Sequence, residues 1–301
     1  MTSKSKNGCE ITFVLPNVMS LNPKHSRGSL HKRCEMALQY DFSYIEVPAH
    51  FIRNKEPEFT GLNPGGFLTK GAIKQLYSED GELPSGVKYI LHTDPQLSPK
   101  CHLRWDDKVW RKRFINMQID LASHLGFPPS MIEIHPGKGP NTYEDIAESA
   151  IELFDSFKEK YNVKPLILIE NRSDQVISDG TQMKEFWELL AKKYPTYKKY
   201  IGFVVDFRTM YTKVSKEYPK NTRAHFIEHI GMIPNESIKG CHIHNSHTKV
   251  PTMRDDVPWA SVFNKIKSVG RDLVLNPEVS TIPLALGTKQ FCVGRLDKTK
   301  P

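Results

Sequence analysis

Six segments of this chain end an apolar run on a side chain that binds metal or moves protons. Tyr89-Ile-Leu-His92 and Met131-Ile-Glu-Ile-His135 end on imidazoles. Leu166-Ile-Leu-Ile-Glu170 and Phe203-Val-Val-Asp206 end on carboxylates. Gly240-Cys-His242-Ile-His244 carries two histidines, and Leu273-Val-Leu-Asn-Pro-Glu278 ends on a glutamate. Glu170, Asp206, His244 and Glu278 together offer three carboxylates and one imidazole. Zn²⁺, Mn²⁺ and Mg²⁺ all accept that mixture. His92 and His135 supply ligands for a second ion, with Glu170 bridging. Two ions about 4 Å apart activate a water and stabilise the leaving oxygen of a phosphodiester. The expectation is therefore one or two divalent metal ions per chain, with Glu170 and Glu278 central to catalysis. His242 lies one step deeper on the same strand parity as His244, so either can be the seventh-strand ligand. His247 reads as a loop residue. A lone histidine at a strand end is more often hydrogen-bonded than metal-bound, and a lone acid there often caps the next helix. Six such ends in one chain are hard to explain that way.

The elements that must position these residues are short buried strands. Strand starts fall near positions 10, 44, 88, 131, 165, 201, 238 and 273. The spacing, about 34 to 44 residues, is that of a βα unit with its loop. Helical spacing is expected from Asp107 to Leu125, from Asn141 or Thr142 onward, around Arg223 to Ile230, and from Trp259. A lysine-rich loop is expected after Asp206, and a short last element from Pro283 to Leu286. Ser29 is the expected cap of a first helix, and Gly61, Pro64, Gly65 and Gly66 mark a long loop. Eight strands alternating with helices predict an α/β protein with a single (β/α)8 TIM barrel over residues 1–301, flanked by tails at 1–8 and 294–301. A doubly wound sheet is disfavoured because no GxGxxG follows a strand.

The chain has 301 residues, a net charge of +8 and a pI near 9.1. That surplus is compatible with a polyanionic partner and equally with a lysine-rich surface. Part of it is local: Arg104, Lys108, Arg111, Lys112 and Arg113 interleave with Trp105 and Trp110. This segment favours nucleic acid if it lies on the same face as the strand ends. The five cysteines are scattered without a CxxC, which reads as reduced thiols in a cytoplasmic protein. No apolar run reaches the ~18 residues of a membrane span, and Met1-Thr-Ser-Lys-Ser-Lys lacks a signal peptide's apolar core. No membrane partner is expected.

The segments His135-Pro-Gly with Ile146-Ala-Glu-Ser149, Ile169-Glu-Asn171, Val205-Asp206, Gly240-Cys-His-Ile-His244 and Glu278 resemble motifs of the xylose-isomerase-like barrels. Within that group the chain looks most like endonuclease IV, the metal-dependent enzyme of abasic-site repair, over roughly residues 87–282. His92 with Gln96 is also similar to a strand of ultraviolet-damage endonucleases. The resemblance implies that His135 and Glu170 bind one metal. Glu170, Asp206, a seventh-strand histidine and Glu278 bind the other. Gln96, Lys138, Asn171, Arg208 and Arg254 become candidate substrate contacts. The chain departs from the family at Thr209, where endonuclease IV has a histidine, and at Arg254-Asp255-Asp256, where an Asp-x-His pair is missing. The expectation is at most two tightly held metals, with Arg208 or Arg254 supplying charge in place of a third. The implied activity is hydrolysis of abasic or damaged DNA. The alternative is a metal-dependent isomerase or epimerase of a small-molecule sugar or polyol, since the same barrel hosts both. A third reading is a non-catalytic nucleic-acid-binding barrel.

Overall fold

The computed structural model of the chain describes residues 3–4, 9–17, 30–49, 67–76, 82–84, 86–93 and 103–296. The strands are β1 (Glu10–Leu15), β2 (Tyr44–Ala49), β3 (Lys88–Thr93), β4 (Met131–Ile134), β5 (Leu166–Glu170), β6 (Ile201–Asp206), β7 (Ile238–His242) and β8 (Leu273–Asn276). Each pairs in parallel with the next, and β1 pairs with β8, so the sheet closes into an eight-stranded barrel. Ser3–Lys4 adds antiparallel to Glu10 and Ile11. The helices are α1 (Leu30–Gln39), α2 (Lys70–Leu76), α3 (Lys108–His124), α4 (Tyr143–Tyr161), α5 (Gly180–Lys193), α6 (Phe207–Glu217), α7 (Thr222–Met232), α8 (Trp259–Val269) and α9 (Ile282–Leu296). This is the single (β/α)8 barrel expected from the strand spacing. Gln96, Cys101, Ser29 and the glycines and proline of 61–66 lie outside the described residues.

The alternation of side chains along a strand divides the apolar residues into two clusters. Val14, Ile90, Met131, Leu168 and Val204 pack together, with Tyr44, Leu166 and Val274 against them. They share the interior of the barrel. The opposite parity, including Ile167, Ile169, Phe203 and Val205, joins the larger core beneath the helices. Two residues beyond Ile90, Met131, Leu168 and Val204 stand His92, Glu133, Glu170 and Asp206. The inner face that is filled with aliphatic side chains near the strand middles therefore turns acidic and basic at the carboxyl ends.

Several sequence expectations need correction. The segment after Asp206 is the helix α6, with Phe207, Met210 and Val214 buried. Its lysines occupy the outer side and hid the three-and-four spacing of the apolar residues. The element after Pro283 is a helix that reaches Leu296, with Ala285, Thr288, Cys292 and Leu296 buried, so the expected tail from 294 begins within a packed helix. β7 and β8 end at His242 and Asn276, leaving His244 and Glu278 on the loops that follow. The basic aromatic segment is not a stacking surface. Trp105 and Trp110 are buried and pack edge-to-face with centroids 5.1 Å apart, and Trp110 stacks on Phe114. Arg111 is buried and faces Glu148 and Glu152 of α4, each at 3.3 Å. The buried apolar stripe of α3 packs against these aromatics, which removes the support that they lent to nucleic-acid binding.

Cys241 and Cys292 are buried free thiols. Among the described residues no helix is long and apolar enough to cross a membrane.

α5 and α7 touch where α5 begins. A Cβ at Gly180 would lie 1.8 Å from the carbonyl oxygen of His229, so only glycine permits this approach. Asp179 caps α5 by accepting from the backbone N–H groups of Thr181 and Gln182. Gly180→Ala is expected to cost about 1–3 kcal/mol by overpacking, measurable as a lower denaturation midpoint. An unchanged midpoint would show that the two helices separate freely.

Candidate metal centre

The carboxyl end of the barrel gathers five buried carboxylates, Glu46, Glu133, Glu170, Asp206 and Glu278, around His92, His135, His242 and His244. Every residue named from sequence as a metal ligand is in this group. Glu46 and Glu133 were not anticipated. Their signal is a charged residue inside an apolar strand, on the parity that faces the barrel interior.

One set of donor atoms is His92 Nε2, His135 Nε2 and Glu170 Oε2. The two imidazole nitrogens are 3.3 Å apart and lie 3.1 and 3.5 Å from the carboxylate oxygen. Ligands about 2.0–2.1 Å from a tetrahedral zinc are separated by about 3.3 Å, so this triangle has the right edges. A second set is Asp206, His242 and Glu278. His242 Nδ1 lies 3.4 Å from Glu278 Oε2 and 3.7 Å from Glu170 Oε1. His242 Nδ1 is buried without a hydrogen-bond partner. An orphaned imidazole nitrogen aimed at two carboxylates is the arrangement that a cation satisfies. Glu170 Oε2 thus belongs to the first set while its Oε1 lies near His242 of the second, and Glu133, Glu170 and His242 form a further close group. His242 fits the second set as the deeper of the two candidate histidines.

The remaining acids hold the rings in place. Glu46 pairs with His92 Nδ1, leaving His92 Nε2 for the first set. Glu46 is itself fixed by the backbone N–H of Asn17 and, at 3.4 Å, by Asn276 Nδ2. Glu133 Oε1 sits 3.0 Å from His242 Nε2, though without hydrogen-bond alignment, which turns Nδ1 toward Glu170 and Glu278. A carboxylate behind a ligating histidine fixes its ring and raises its basicity. Asp206 is held by Thr209, whose N–H donates to Oδ1 at 2.8 Å and whose hydroxyl donates to Oδ2 at 2.6 Å. Thr209 therefore fixes both carboxylate oxygens of Asp206.

A third set, His244, His247 and Glu278, is also close enough to hold an ion. The two rings stack 4.5 Å apart, and His247 Nδ1 meets the carbonyl of Glu278 at 2.8 Å. His247 is thus part of the site's rim. His244 Nε2 lies 3.2 Å from Glu278 Oε2 and 3.4 Å from Asp206 Oδ2.

The candidate substrate contacts scatter more widely. Asn171 is buried; its side chain donates to the carbonyl of Asp206 at 3.0 Å and accepts from the Asp206 N–H at 2.8 Å. It braces β5 against β6. Arg208 donates to Asn245 Oδ1 at 3.2 Å, just beyond His244. Lys138 is exposed in the turn after His135, and Arg254 is exposed in the loop before α8. Neither is brought against the histidines and acids by any described contact.

Electrostatics follow from this packing. Burial by itself lowers the pKa of His92, but Glu133, Glu46 and Glu170 outweigh it and hold the pKa well above the ordinary value. The same balance holds for His242, where Glu133, Glu170 and Glu278 dominate burial. His244 is raised more modestly, burial again being outweighed by Asp206 and Glu278. His135 goes the other way, to about 4, because burial prevails over Glu170. Asp206 and Glu278 stay well below the usual carboxylate range; burial would raise them, but the imidazoles of His244 and His242 prevail.

No family model and no curated protein matches the chain. Solved structures do. A D-tagatose 3-epimerase-like protein aligns over 95% of this chain and 97% of its own, with 17% identity and a TM-score of 0.57. The IOLI protein with a binding zinc atom aligns over 96% and 99%, with 15% identity and a TM-score of 0.56. An AP endonuclease, family 2, from Brucella melitensis aligns over 90% and 93%, with 11% identity and a TM-score of 0.50. The chain has the xylose-isomerase-like TIM-barrel fold.

Two outcomes test the centre. Protons on His92, His242 and His244 compete with metal for the same nitrogens, whereas His135 is already neutral at pH 7. Metal binding near neutrality should release about one or more protons and weaken as pH falls; calorimetry in buffers of different ionisation enthalpy measures this, and zero release would contradict it. Glu133→Gln and Glu46→Gln should each lower metal affinity about 10–100-fold with the barrel intact by circular dichroism. Unchanged affinity would reduce both acids to packing.

Proposed function

We propose that the chain is a divalent-metal-dependent hydrolase of phosphodiesters, with abasic or damaged DNA as its substrate class. The observation that carries this reading is the adjacency of two donor sets, one of His92, His135 and Glu170 and one of Asp206, His242 and Glu278, with Glu170 Oε1 3.7 Å from His242 Nδ1 of the second. A mononuclear site needs no second imidazole pair, yet His92 and His135 converge on the free oxygen of Glu170. Bound ions at these sets supply an activated water and charge neutralisation at a phosphoryl oxygen. The residues do the rest. Glu170 fixes the separation of the two sets, and Glu46 and Glu133 keep the imidazoles aimed. Arg208 in the first turn of α6 donates to Asn245 on the loop after β7, next to His244 at the rim, where a guanidinium meets a phosphate through its planar fork. His247 faces outward from the same rim.

Sugar epimerisation is the second reading. It draws on the fold shared with the epimerase-like protein and on Glu170 and Glu278, which face each other across His242 Nδ1. Carboxylates on two sides of a bound polyol are placed to remove and return a proton.

One comparison separates the readings. The protein, with metal content measured, is given an abasic-site duplex and a panel of free ketoses, each with and without chelator. Chelator-sensitive strand cleavage is expected, and Glu170→Gln should lower it at least about a hundredfold along with bound metal, exceeding the loss for an outer residue. Ketose turnover without cleavage would transfer the assignment to the epimerase. Duplex binding without either reaction would leave a nucleic-acid-binding barrel.

A further inference from the structure

At the opposite end of the barrel, where β6, β7 and β8 begin, lies a concavity of about 480 Å³ lined by Trp187, Lys198, Lys199, Glu236, Lys239 and Arg271, with Pro195 and Thr196 at its edge. That volume falls within the ~300–1,000 Å³ of small-molecule sites. Four cations face one carboxylate, Glu236, whose Oε1 accepts from the Trp187 indole at 3.1 Å; it offsets part of their charge and leaves a positive excess. Lys198 rests its ammonium 4.9 Å over the Trp187 ring. Arg271 donates to the backbone carbonyl of Glu236 at 3.1 Å. Lys199 lies with its ammonium 4.8 Å from the Tyr200 ring centroid.

Lys239 is half-buried, and the fold makes room for it. A Cβ at Gly202 would stand 2.6 Å from Lys239 Cγ, so the lysine stem crosses the one position in β6 that lacks a side chain. Burial, then the nearby Arg271, draws the Lys239 pKa down to about 8. Like charges gathered in a partly dry concavity repel one another, and an anion reverses that cost.

We propose that this concavity binds an oligophosphate anion, a small molecule bearing two or more linked phosphate groups. Four donors of a concave site match several phosphoryl oxygens at once, and the excess positive charge exceeds what one phosphate neutralises. Trp187 is buried beneath Lys198, so the pocket lacks the open aromatic platform that stacks the bases of a nucleic acid.

The test uses inorganic tripolyphosphate and the full chain at physiological ionic strength. Bound metal is measured before and after, since the anion itself chelates. Calorimetry should give one anion per chain. Affinity should fall at least about tenfold, the size of one lost charge-assisted contact, in Lys239→Gln and in Arg271→Gln. Arg271 is exposed, so its variant serves if Lys239→Gln fails to fold. Glu170→Gln should bind the anion as the parent does. The proposal is overturned by no saturable binding, by affinity equal to the parent's in both cation variants, or by loss of binding in Glu170→Gln, which would put the anion at the metal centre. Duplex DNA binding that depends on Lys239 and Arg271, without tripolyphosphate binding, would also overturn it.

Discussion

The constraint behind the rest of this structure is the burial of five carboxylates and four imidazoles in one small volume. An isolated buried charge costs several kcal/mol even after relaxation, so such a cluster persists only if its members compensate one another. Here every acid has an imidazole within about 4 Å, and the outer acids add fixed donors such as Asn17, Asn276 and Thr209. Protons on His92, His242 and His244 and divalent cations are alternative ways to balance the same negative charge. That exchange is the chemistry a cation-binding centre requires.

The barrel supplies what the cluster needs. Its interior is aliphatic below the cluster, with Val14, Ile90, Met131, Leu168 and Val204 excluding water. A dry floor strengthens each electrostatic contact above it. The helices outside carry separate duties: Trp105 of the segment before α3 donates to the carbonyl of His135 at 2.9 Å, and Arg33 of α1 reaches the carbonyl of Glu46 at 3.1 Å. Both pin the backbone of a site strand from behind. The two ends of the barrel thus differ in sign, with acids at the carboxyl ends of the strands and the Lys239–Arg271 concavity at their starts.

Fold alone does not choose a reaction on this scaffold. Similar barrels include epimerase-like, zinc-binding and endonuclease structures. The local features of this chain are a glutamate with one oxygen toward two histidines and the other toward a third, and Thr209 bracing both oxygens of Asp206.

The sequence by itself determined the strand periodicity, the barrel and the ligand types at the strand ends, because apolar runs of fixed parity leave few other places for their terminal polar residues. It also placed α3 and α4, whose caps Asp107 and Thr142 are written beside their helices. It misjudged α6, where lysines on the outer side concealed a buried stripe, and the aromatic segment at Trp105 and Trp110, whose basic neighbours imitated a binding surface. Only the tertiary structure decided that Glu46 and Glu133 stand behind His92 and His242. Their partners lie 46 and 109 residues away in the chain, and no local pattern encodes a ring orientation set by a neighbouring strand. Tertiary packing likewise made His242 the deeper donor: β7 ends at that residue, so its ring stays inside the barrel while His244 turns onto the rim.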